Sequence, residues 1–155
     1  MKALSLWEPW ASLMATGAKR IETRSWGTSY RGRLLICAAQ RVAPDLDEIL
    51  ADPAFQHGLE RLLPRPPSRP VDRGDLQFGN AVAMVDLIAC APTTRRPTSL
   101  EHLVVPDEHI FGDLSPGRFA WYTSNLCRLR PFPVRGKQGL FEVDILGSAL
   151  VGAAS

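Results

Sequence analysis

Apolar and polar positions follow each other along the chain in patterns that predict short strands around helical insertions. The apolar ALSL at residues 3–6 predicts a strand. A helix is predicted to begin at Pro9, because the first helical position needs no N–H and tolerates proline. Its apolar face comes from residues at i, i+3 and i+4, namely Trp10, Leu13 and Met14. Gly17 is the predicted left-handed residue that ends this helix.

Further strands and helices are predicted after Gly17. RIETR at residues 20–24 predicts a short strand, and the continuously apolar LLICAA at 34–39 predicts a buried central strand. Helical spacing of apolar residues between Pro44 and Leu63 predicts two short helices, which Pro53 separates. The remaining strands are predicted in AVAMVDLIAC at 81–90 and in FAWYTSNLCRL, FPVRG and GLFEVDIL towards the C-terminus.

Five or six short strands that do not alternate regularly with helices predict an α+β fold. We expect a small, mostly antiparallel β-barrel decorated with helices. The predicted core includes Leu34, Ile36, Val82 and Val85. A length of 155 residues suits a single domain, which we place at 1–148, followed by a frayed tail at 149–155.

Two segments between the predicted elements have an unusual composition. Residues 64–70, PRPPSRP, are rich in proline and predict a stiff connector. Residues 91–117 are long and polar, and they predict a loop that is either functional or mobile.

The composition excludes several classes of protein. A hydrophobic fraction of 45% and a charged fraction of 22% are typical of a soluble globular protein. No apolar run reaches the roughly 18 residues that a membrane-spanning helix needs. The N-terminal MKALSLWEPW lacks the apolar core and cleavage site of a signal peptide, so we expect a cytoplasmic protein.

Cysteines and histidines are too scattered to predict a metal site. They show neither a CxxC pair nor an HxxxH or HExxH spacing, so we expect free thiols, no metal and no cofactor. The six positions are Cys37, Cys90, Cys127, His57, His102 and His109.

Positive charge is concentrated in two stretches of the chain. Residues 19–41 hold six cations against the single acid Glu22, and residues 128–137 hold four cations and no acid. Such a distribution favours an anionic partner such as nucleic acid. The excess of arginine over lysine is also what a biased genome composition would produce, and both interpretations stay open.

The stretch GAKRIETR at 17–24 is the densest group of charges. In an extended strand Arg20, Glu22 and Arg24 share one face, with about 7 Å between alternate residues. Ile21 is expected to anchor the strand in the core. These charges form either a surface network of ion pairs, which stabilises little, or a pocket in which Lys19 lies beside Glu22.

Aromatic residues interleave with these charges, as stacking on bases beside phosphate contacts requires. Trp7 and Trp10 flank Pro9, and Trp26 directly follows the charged strand. At least one of Trp7, Trp10 and Trp121 is expected in the core. Trp26, in a polar loop, is the best candidate for a ring that faces a ligand.

Residues 5–36 resemble the opening of ASCH domains, which are members of the PUA-like superfamily. The family hallmark G-x-K-x-x-E-x-R is matched by Gly17, Lys19, Glu22 and Arg24. The later stretches GDLSPGRFAW and PVRGKQGLFEVD also resemble bacterial stand-alone ASCH proteins, whereas residues 42–78 remain unmatched. The resemblance implies a β-barrel with a cleft beside the first helix, lined by the hallmark Lys, Glu and Arg. It favours the pocket over the surface network.

The resemblance also implies two classes of activity. ASCH domains are associated with binding of RNA or other nucleic acid. One branch hydrolyses the acetyl amide of acetylated cytidine with a Lys, a Thr three residues later and a separate Glu. Because Glu22 stands where that branch has its Thr, we expect little or no such hydrolysis. Other members resemble ribonucleases, a role for which Lys19, Tyr30 and Ser124 are candidates.

The favoured interpretation is a binding module for RNA, other nucleic acid or a nucleoside. In it Lys19 and Arg24 hold a phosphate or a base carbonyl, and Glu22 accepts hydrogen bonds from a base edge. The remaining predicted contacts are stacking by Trp26 and Trp7 and phosphate binding by Arg31 and Arg33. The alternative is a hydrolase acting on a modified nucleoside or RNA, with Lys19 as acid–base or oxyanion stabiliser and Glu22 as general base. A protein-interaction domain is a third possibility.

Overall fold

A computed structural model describes residues 1–64 and 68–145 of the chain. The strands are β1 (Lys2–Leu6), β2 (Ile21–Arg24), β3 (Gly32–Ala38), β4 (Asn80–Pro92), β5 (Phe119–Pro133) and β6 (Leu140–Glu142). The α-helices are α1 (Trp10–Thr16), α2 (Leu46–Ala51), α3 (Pro53–Leu59) and α4 (Glu108–Phe111). Short 3₁₀ helices span Glu60–Leu62, Arg73–Asp75 and Thr98–Leu103. Within these described ranges, no helix is long and apolar enough to cross a membrane.

The six strands form one mixed sheet in the order β2-β5-β4-β3-β1-β6, which curves into a half-barrel. Every neighbouring pair is antiparallel except β1 and β3, which run parallel. The predicted α+β class, with a mostly antiparallel sheet and helices packed on it, is therefore confirmed.

Strand β5 joins two segments that were predicted to be separate strands. FAWYTSNLCRL and FPVRG were expected to contribute separate strands, but Phe119–Pro133 is one strand of 15 residues. Its pairing with β4 continues from Phe119 opposite Pro92 to Pro133 opposite Asn80. Three shifts of register interrupt this ladder, and irregularities of that kind bend a strand without ending it.

Helix α1 begins one residue later than predicted. The carbonyl of Pro9 accepts from the N–H of Leu13 at 2.9 Å, so Pro9 caps the helix and Trp10 is its first residue. The predicted stop is confirmed, since Gly17 has φ 82° and its N–H bonds to the carbonyl of Met14. A side chain disfavours this left-handed conformation, which explains the glycine.

The main core lies between α1 and the sheet. The four residues predicted to be buried are each 3% exposed or less: Leu34, Ile36, Val82 and Val85. Trp121 is fully buried in the same cluster, which confirms that at least one tryptophan belongs to the core. All three cysteines are free, with Cys37 buried and the other two half-buried.

A second cluster joins α1 to the helical insertion. Pro53 is the first residue of α3 and separates it from α2, as predicted. Leu13 from α1 packs there with Phe55 and Phe111, whose rings meet edge to face at 5.0 Å. The hydroxyl of Thr16 donates to the carbonyl of Gly58 at 2.8 Å and ties the two helices together.

The polar stretch 91–117 is not the long loop that was expected. It contains a 3₁₀ helix and α4, because its few apolar residues find partners in the protein. Leu103 packs against Ile21 and Tyr122, and Phe111 enters the second cluster. Residues 65–67 of the predicted stiff connector and the predicted tail at 149–155 lie outside the described residues.

Candidate functional site

A cavity of about 530 Å³ opens between the start of α1 and the edge of the sheet that carries β2. We call it the first cavity. Its walls come from the end of β1 and the start of α1, from β2, from α4 and the two residues after it, and from Arg118. The lining residues are Leu6, Trp7, Trp10, Glu22, Thr23, Arg24, Ile110, Phe111, Gly112, Asp113 and Arg118. The resemblance implied a cleft beside the first helix, lined by the hallmark Lys, Glu and Arg. Of these residues, Glu22 and Arg24 line the first cavity and Lys19 does not.

Strand β2 delivers two charged side chains to the first cavity. Ile21 and Thr23 are buried, while Glu22 and Arg24 are half-buried on the other face, as strand alternation predicts. Arg24 Nε lies 3.6 Å from Glu22 Oε1, and Arg24 Nη2 donates to the carbonyl of Ser5 at 2.7 Å. The link to β1 fixes the direction of the guanidinium, so the cavity has a positioned donor beside a positioned acceptor.

Lys19 lies behind the cavity wall and not on its surface. Its side chain is buried, and Nζ donates to the carbonyl of Ile21. A Cβ placed on Gly112 would lie 3.5 Å from Nζ and 3.4 Å from Thr23 Cγ2, so the peptide at Gly112 covers the ammonium. No carboxylate of the described chain lies within 4.0 Å of it, and Glu22 pairs with Arg24 instead. Lys19, which was predicted to lie beside Glu22, makes no direct salt bridge with it in the described structure.

Glu108 is the residue of this region that sequence reasoning missed. It lies on α4, is 2% exposed, and accepts hydrogen bonds from the N–H groups of Arg20 and Ile21, the latter at 3.0 Å. Burial raises its pKa to about 7, against the opposing effects of the Lys19 charge and the two hydrogen bonds. The nearby Glu22 raises this pKa further. Lys19, Glu22 and Glu108 therefore form one electrostatic cluster under the first cavity.

The sequence contained only a weak signal for Glu108. It stands between Asp107 and His109 in a run that looks solvated, and only the following Ile110 and Phe111 indicate a partly buried turn. Asp113 and Arg118, which also line the cavity, were inside the stretch GDLSPGRFAW that resembled the family but received no role. They lie 3.4 Å apart, Arg118 Nε to Asp113 Oδ2.

Of the two tryptophans that were predicted to stack on a base, only Trp7 lines the first cavity. Trp7 is 41% exposed and lines the first cavity, and the guanidinium carbon of Arg41 lies 5.6 Å from the centroid of its ring. Trp26 is half-buried and meets Trp121 edge to face at 4.7 Å. It does not line the first cavity, although it was the favoured ring for stacking.

A second cavity of about 710 Å³ adjoins the first and shares Trp7 and Arg24 with it. We call it the basic cavity, because four cations and no acid are among its lining residues. They are Ser5, Trp7, Arg24, Trp26, Ala39, Gln40, Arg41, Val134, Arg135, Gly136, Lys137, Gln138 and Gly139. Trp26 belongs here.

The structure does not bring Arg31 and Arg33 to either cavity. Arg31 Nη1 donates to the carbonyls of Thr28 and Tyr30, and Arg33 Nη1 lies 3.5 Å from Asp86 Oδ1. Tyr30 packs against the main core and donates its hydroxyl to the carbonyl of Arg33. Ser124 lines a separate cavity of about 270 Å³, to which Lys19 also contributes.

Comparison with known families decides which group of proteins this architecture represents. The family model described as the ASCH domain matches residues 4–129. The chain belongs to the ASCH domain family. Members of this family are generally associated with RNA binding.

Two known proteins are similar to this chain over part of its length. Activating signal cointegrator 1 from Homo sapiens and its counterpart from Mus musculus are each 38% identical over 89 residues. The match covers 56% of this chain but 14% of either relative, so the chain spans about a seventh of their length.

The hallmark residues of this ASCH domain occupy structurally different positions. Gly17 ends α1 in the left-handed conformation, and Lys19 is buried against the backbone of β2. Glu22 and Arg24 are the two members that face the first cavity. The hallmark therefore combines one residue that ends α1, one that is bonded to the backbone of β2, and two that present a donor and an acceptor to the first cavity.

Proposed function

We propose that this ASCH domain binds single-stranded RNA and takes one nucleotide into the first cavity. The observation that carries the proposal is the combination, in one cavity, of an exposed tryptophan ring with two ion pairs. Trp7 offers the ring, and the pairs are Glu22–Arg24 and Asp113–Arg118. A base needs an apolar face and a few fixed polar groups, and single-stranded RNA is commonly read in this way.

Each group has a role that follows from its chemistry. Arg24 and Arg118 donate to a base carbonyl or a phosphate oxygen, and the Glu22 carboxylate accepts from the N–H groups of a base edge. Trp7 stacks on the base, with the exposed Ile110 as the apolar residue of the α4 segment. Lys19 acts through its charge and by holding β2, since its ammonium is bonded to the carbonyl of Ile21.

The test is binding of a 5′-fluorescein-labelled octauridylate, followed by fluorescence anisotropy across a series of salt concentrations. We expect binding that weakens as salt rises, because the protein's cations displace counterions from the RNA. Arg24→Gln is expected to weaken binding, whereas Arg95→Gln, an exposed arginine that lines neither cavity, is the matched control. Absence of binding at about 20 mM salt, well below the ionic strength at which screening dominates, contradicts the proposal.

Trp7 and Trp26 compete for the stacking role, and their alanine variants separate the two. Loss of a stacked ring weakens binding by roughly 1–3 kcal/mol per base. We expect this loss for Trp7→Ala with little change in stability, because the ring is 41% exposed. Trp26→Ala removes the contact with Trp121, so its main expected effect is a lower stability of the folded protein. Weaker binding in a fully stable Trp26→Ala variant, with Trp7→Ala unchanged, assigns the role to Trp26 instead.

Hydrolysis of a modified nucleoside or RNA is the second candidate function. The observation that favours it is a carboxyl group with a pKa of about 7, Glu108, whose charge is coupled to the Lys19 ammonium and to Glu22. A group with a pKa near the working pH is suited to general acid–base catalysis, which typically contributes about 10² to 10⁴ in rate. The assay is release of acetate from N4-acetylcytidine by wild type, Lys19→Met and Glu22→Gln. Turnover that both substitutions abolish in folded protein replaces the binding proposal with this one.

A further inference from the structure

The basic cavity is formed by segments that are distant in the sequence. Ser5 comes from β1, Gln40 and Arg41 follow β3, and residues 134–139 connect β5 to β6. Together with Arg24 they give the cavity a lining with four cations and no acid. A concave surface of one sign of charge concentrates the electric field and raises the local concentration of anions.

Three of these four charges have no carboxylate partner within the part of the chain that the structure describes. Arg41, Arg135 and Lys137 are exposed and have no carboxylate within 4.0 Å in residues 1–64 and 68–145. Arg24 pairs with Glu22, which belongs to the first cavity. Four clustered cations repel one another, and a bound anion relieves that repulsion.

Ser5, which contributes to the lining of the same cavity, has a buried hydroxyl group without a hydrogen-bond partner among the described residues. Ser5 Oγ is inaccessible to solvent and has no hydrogen-bond partner in the described structure. The bare peptide at Gly136 packs directly against it, where a Cβ would collide with Oγ. Buried hydroxyl groups are ordinarily hydrogen-bonded, so Ser5 Oγ is, within the described chain, an unpaired donor directly beneath the Gly136 peptide at the edge of the basic cavity.

We infer that the basic cavity binds the phosphates of single-stranded RNA that flank the nucleotide in the first cavity. This inference rests on the proposed function and extends it. Trp7 and Arg24 line both cavities, so a strand passes from one to the other without leaving the protein surface. The phosphate contacts belong to Arg41, Arg135 and Lys137 together with Arg24, in place of the predicted Arg31 and Arg33.

The salt dependence of binding tests this assignment. Each phosphate contact to single-stranded nucleic acid contributes about 0.7 to the slope of log affinity against log salt. Loss of two contacts in Arg135→Gln/Lys137→Gln therefore lowers the slope by about 1.4, which corresponds to about 25-fold weaker binding at 0.1 M salt. The matched control is Arg95→Gln/Arg130→Gln, which removes the same charge from exposed positions outside both cavities.

The probes are labelled octauridylate and, for comparison, uridine 5′-monophosphate. The double variant is expected to lose octauridylate affinity and slope while its thermal midpoint stays that of wild type. Affinity for the mononucleotide is expected to change by less than about threefold, since its single phosphate is neutralised by fewer cations. An equal loss for both probes identifies a site for a terminal phosphate and overturns the assignment to a strand.

The remaining outcomes separate this inference from the proposed function. If wild type binds octauridylate and Arg24→Gln weakens it, but the double variant keeps the slope of its control, the first-cavity proposal stands and this inference is wrong. If Arg31→Gln/Arg33→Gln lowers the slope instead, the strand runs elsewhere and the inference is also wrong. If wild type does not bind RNA at all, both the proposed function and this inference are wrong.

Discussion

Glu108→Gln provides a quantitative test of the electrostatic cluster under the first cavity. The carboxyl group is 2% exposed and accepts from the N–H groups of Arg20 and Ile21 through Oε1. A glutamine has nearly the same shape, and its amide oxygen can accept the same two hydrogen bonds. The substitution therefore removes the ionisable group and keeps the contact between α4 and β2.

The size of the effect follows from the pKa. Burial raises the pKa of Glu108 from its ordinary 4.5 to about 7. For an acid whose pKa is higher in the folded state, stability is greatest below pH 4.5 and is lost as pH rises towards 7. The full loss is about 3.4 kcal/mol, at roughly 1.36 kcal/mol per pKa unit. Between pH 5 and pH 8 the loss is about 2.5 kcal/mol.

Urea unfolding of wild type and Glu108→Gln at pH 5 and pH 8 measures this loss. The free energy of unfolding of the variant, relative to wild type, is expected to rise by about 2.5 kcal/mol between the two pH values. With a denaturant slope of about 2 kcal/mol per molar, the relative midpoint moves by about 1.2 M. Using the difference between proteins removes the contribution of Glu8, whose pKa burial also raises.

The control is Glu101→Gln, an exposed carboxyl in the same polar stretch, which is expected to show the same difference at both pH values. Glu22 and Lys19, the other two charged residues of the cluster, are unchanged in the variant. A relative stability of Glu108→Gln that is the same at pH 5 and pH 8 refutes the raised pKa and the cluster built on it.

Two further predictions concern Gly17 and Thr16, the residues at the C-terminal end of α1. Gly17→Ala forces a side chain into φ 82° with its Cβ 3.3 Å from Leu126 Cδ2, and we expect a loss of about 1–2 kcal/mol in urea unfolding. Gly117→Ala, at φ 87° but with open space around it, should lose no more than Gly17→Ala, and the reverse order contradicts the contact with Leu126. Thr16→Val leaves the carbonyl of Gly58 without its partner and should cost about 1–3 kcal/mol, whereas an unchanged unfolding midpoint shows that water or another donor replaces the hydroxyl.

Local patterns predicted the parts of this fold that local forces determine. Alternation in RIETR placed Ile21 in the core and Glu22 and Arg24 on the opposite face, because a strand has a period of two wherever it lies. Pro53 divided the helical insertion for an equally local reason, since its ring cannot continue the preceding helix. The hallmark match then placed the two charged side chains beside a cleft.

Contacts between distant segments could not be predicted in this way. Glu108 reaches the backbone of Arg20 and Ile21 across 88 and 87 positions of sequence. Arg41 meets Arg135 in one cavity only because β1 lies between β3 and β6 in the sheet. Arg31 and Arg33 were chosen because they are close to the hallmark in sequence, but the structure places neither in a cavity with Arg24. Nearness along the chain was the wrong guide to nearness in space.

The position of Lys19 bears on the choice between binding and hydrolysis. For its ammonium to act on a ligand in the first cavity, the segment that carries Gly112 has to move away from it. The preceding helix α4 is held to the start of β2 by the two hydrogen bonds that Glu108 accepts from Arg20 and Ile21. Exposing Lys19 to the first cavity therefore requires a rearrangement, whose free energy a substrate would have to supply on binding. Glu22 and Arg24 already face the cavity and need no such rearrangement, so binding uses the structure as it stands.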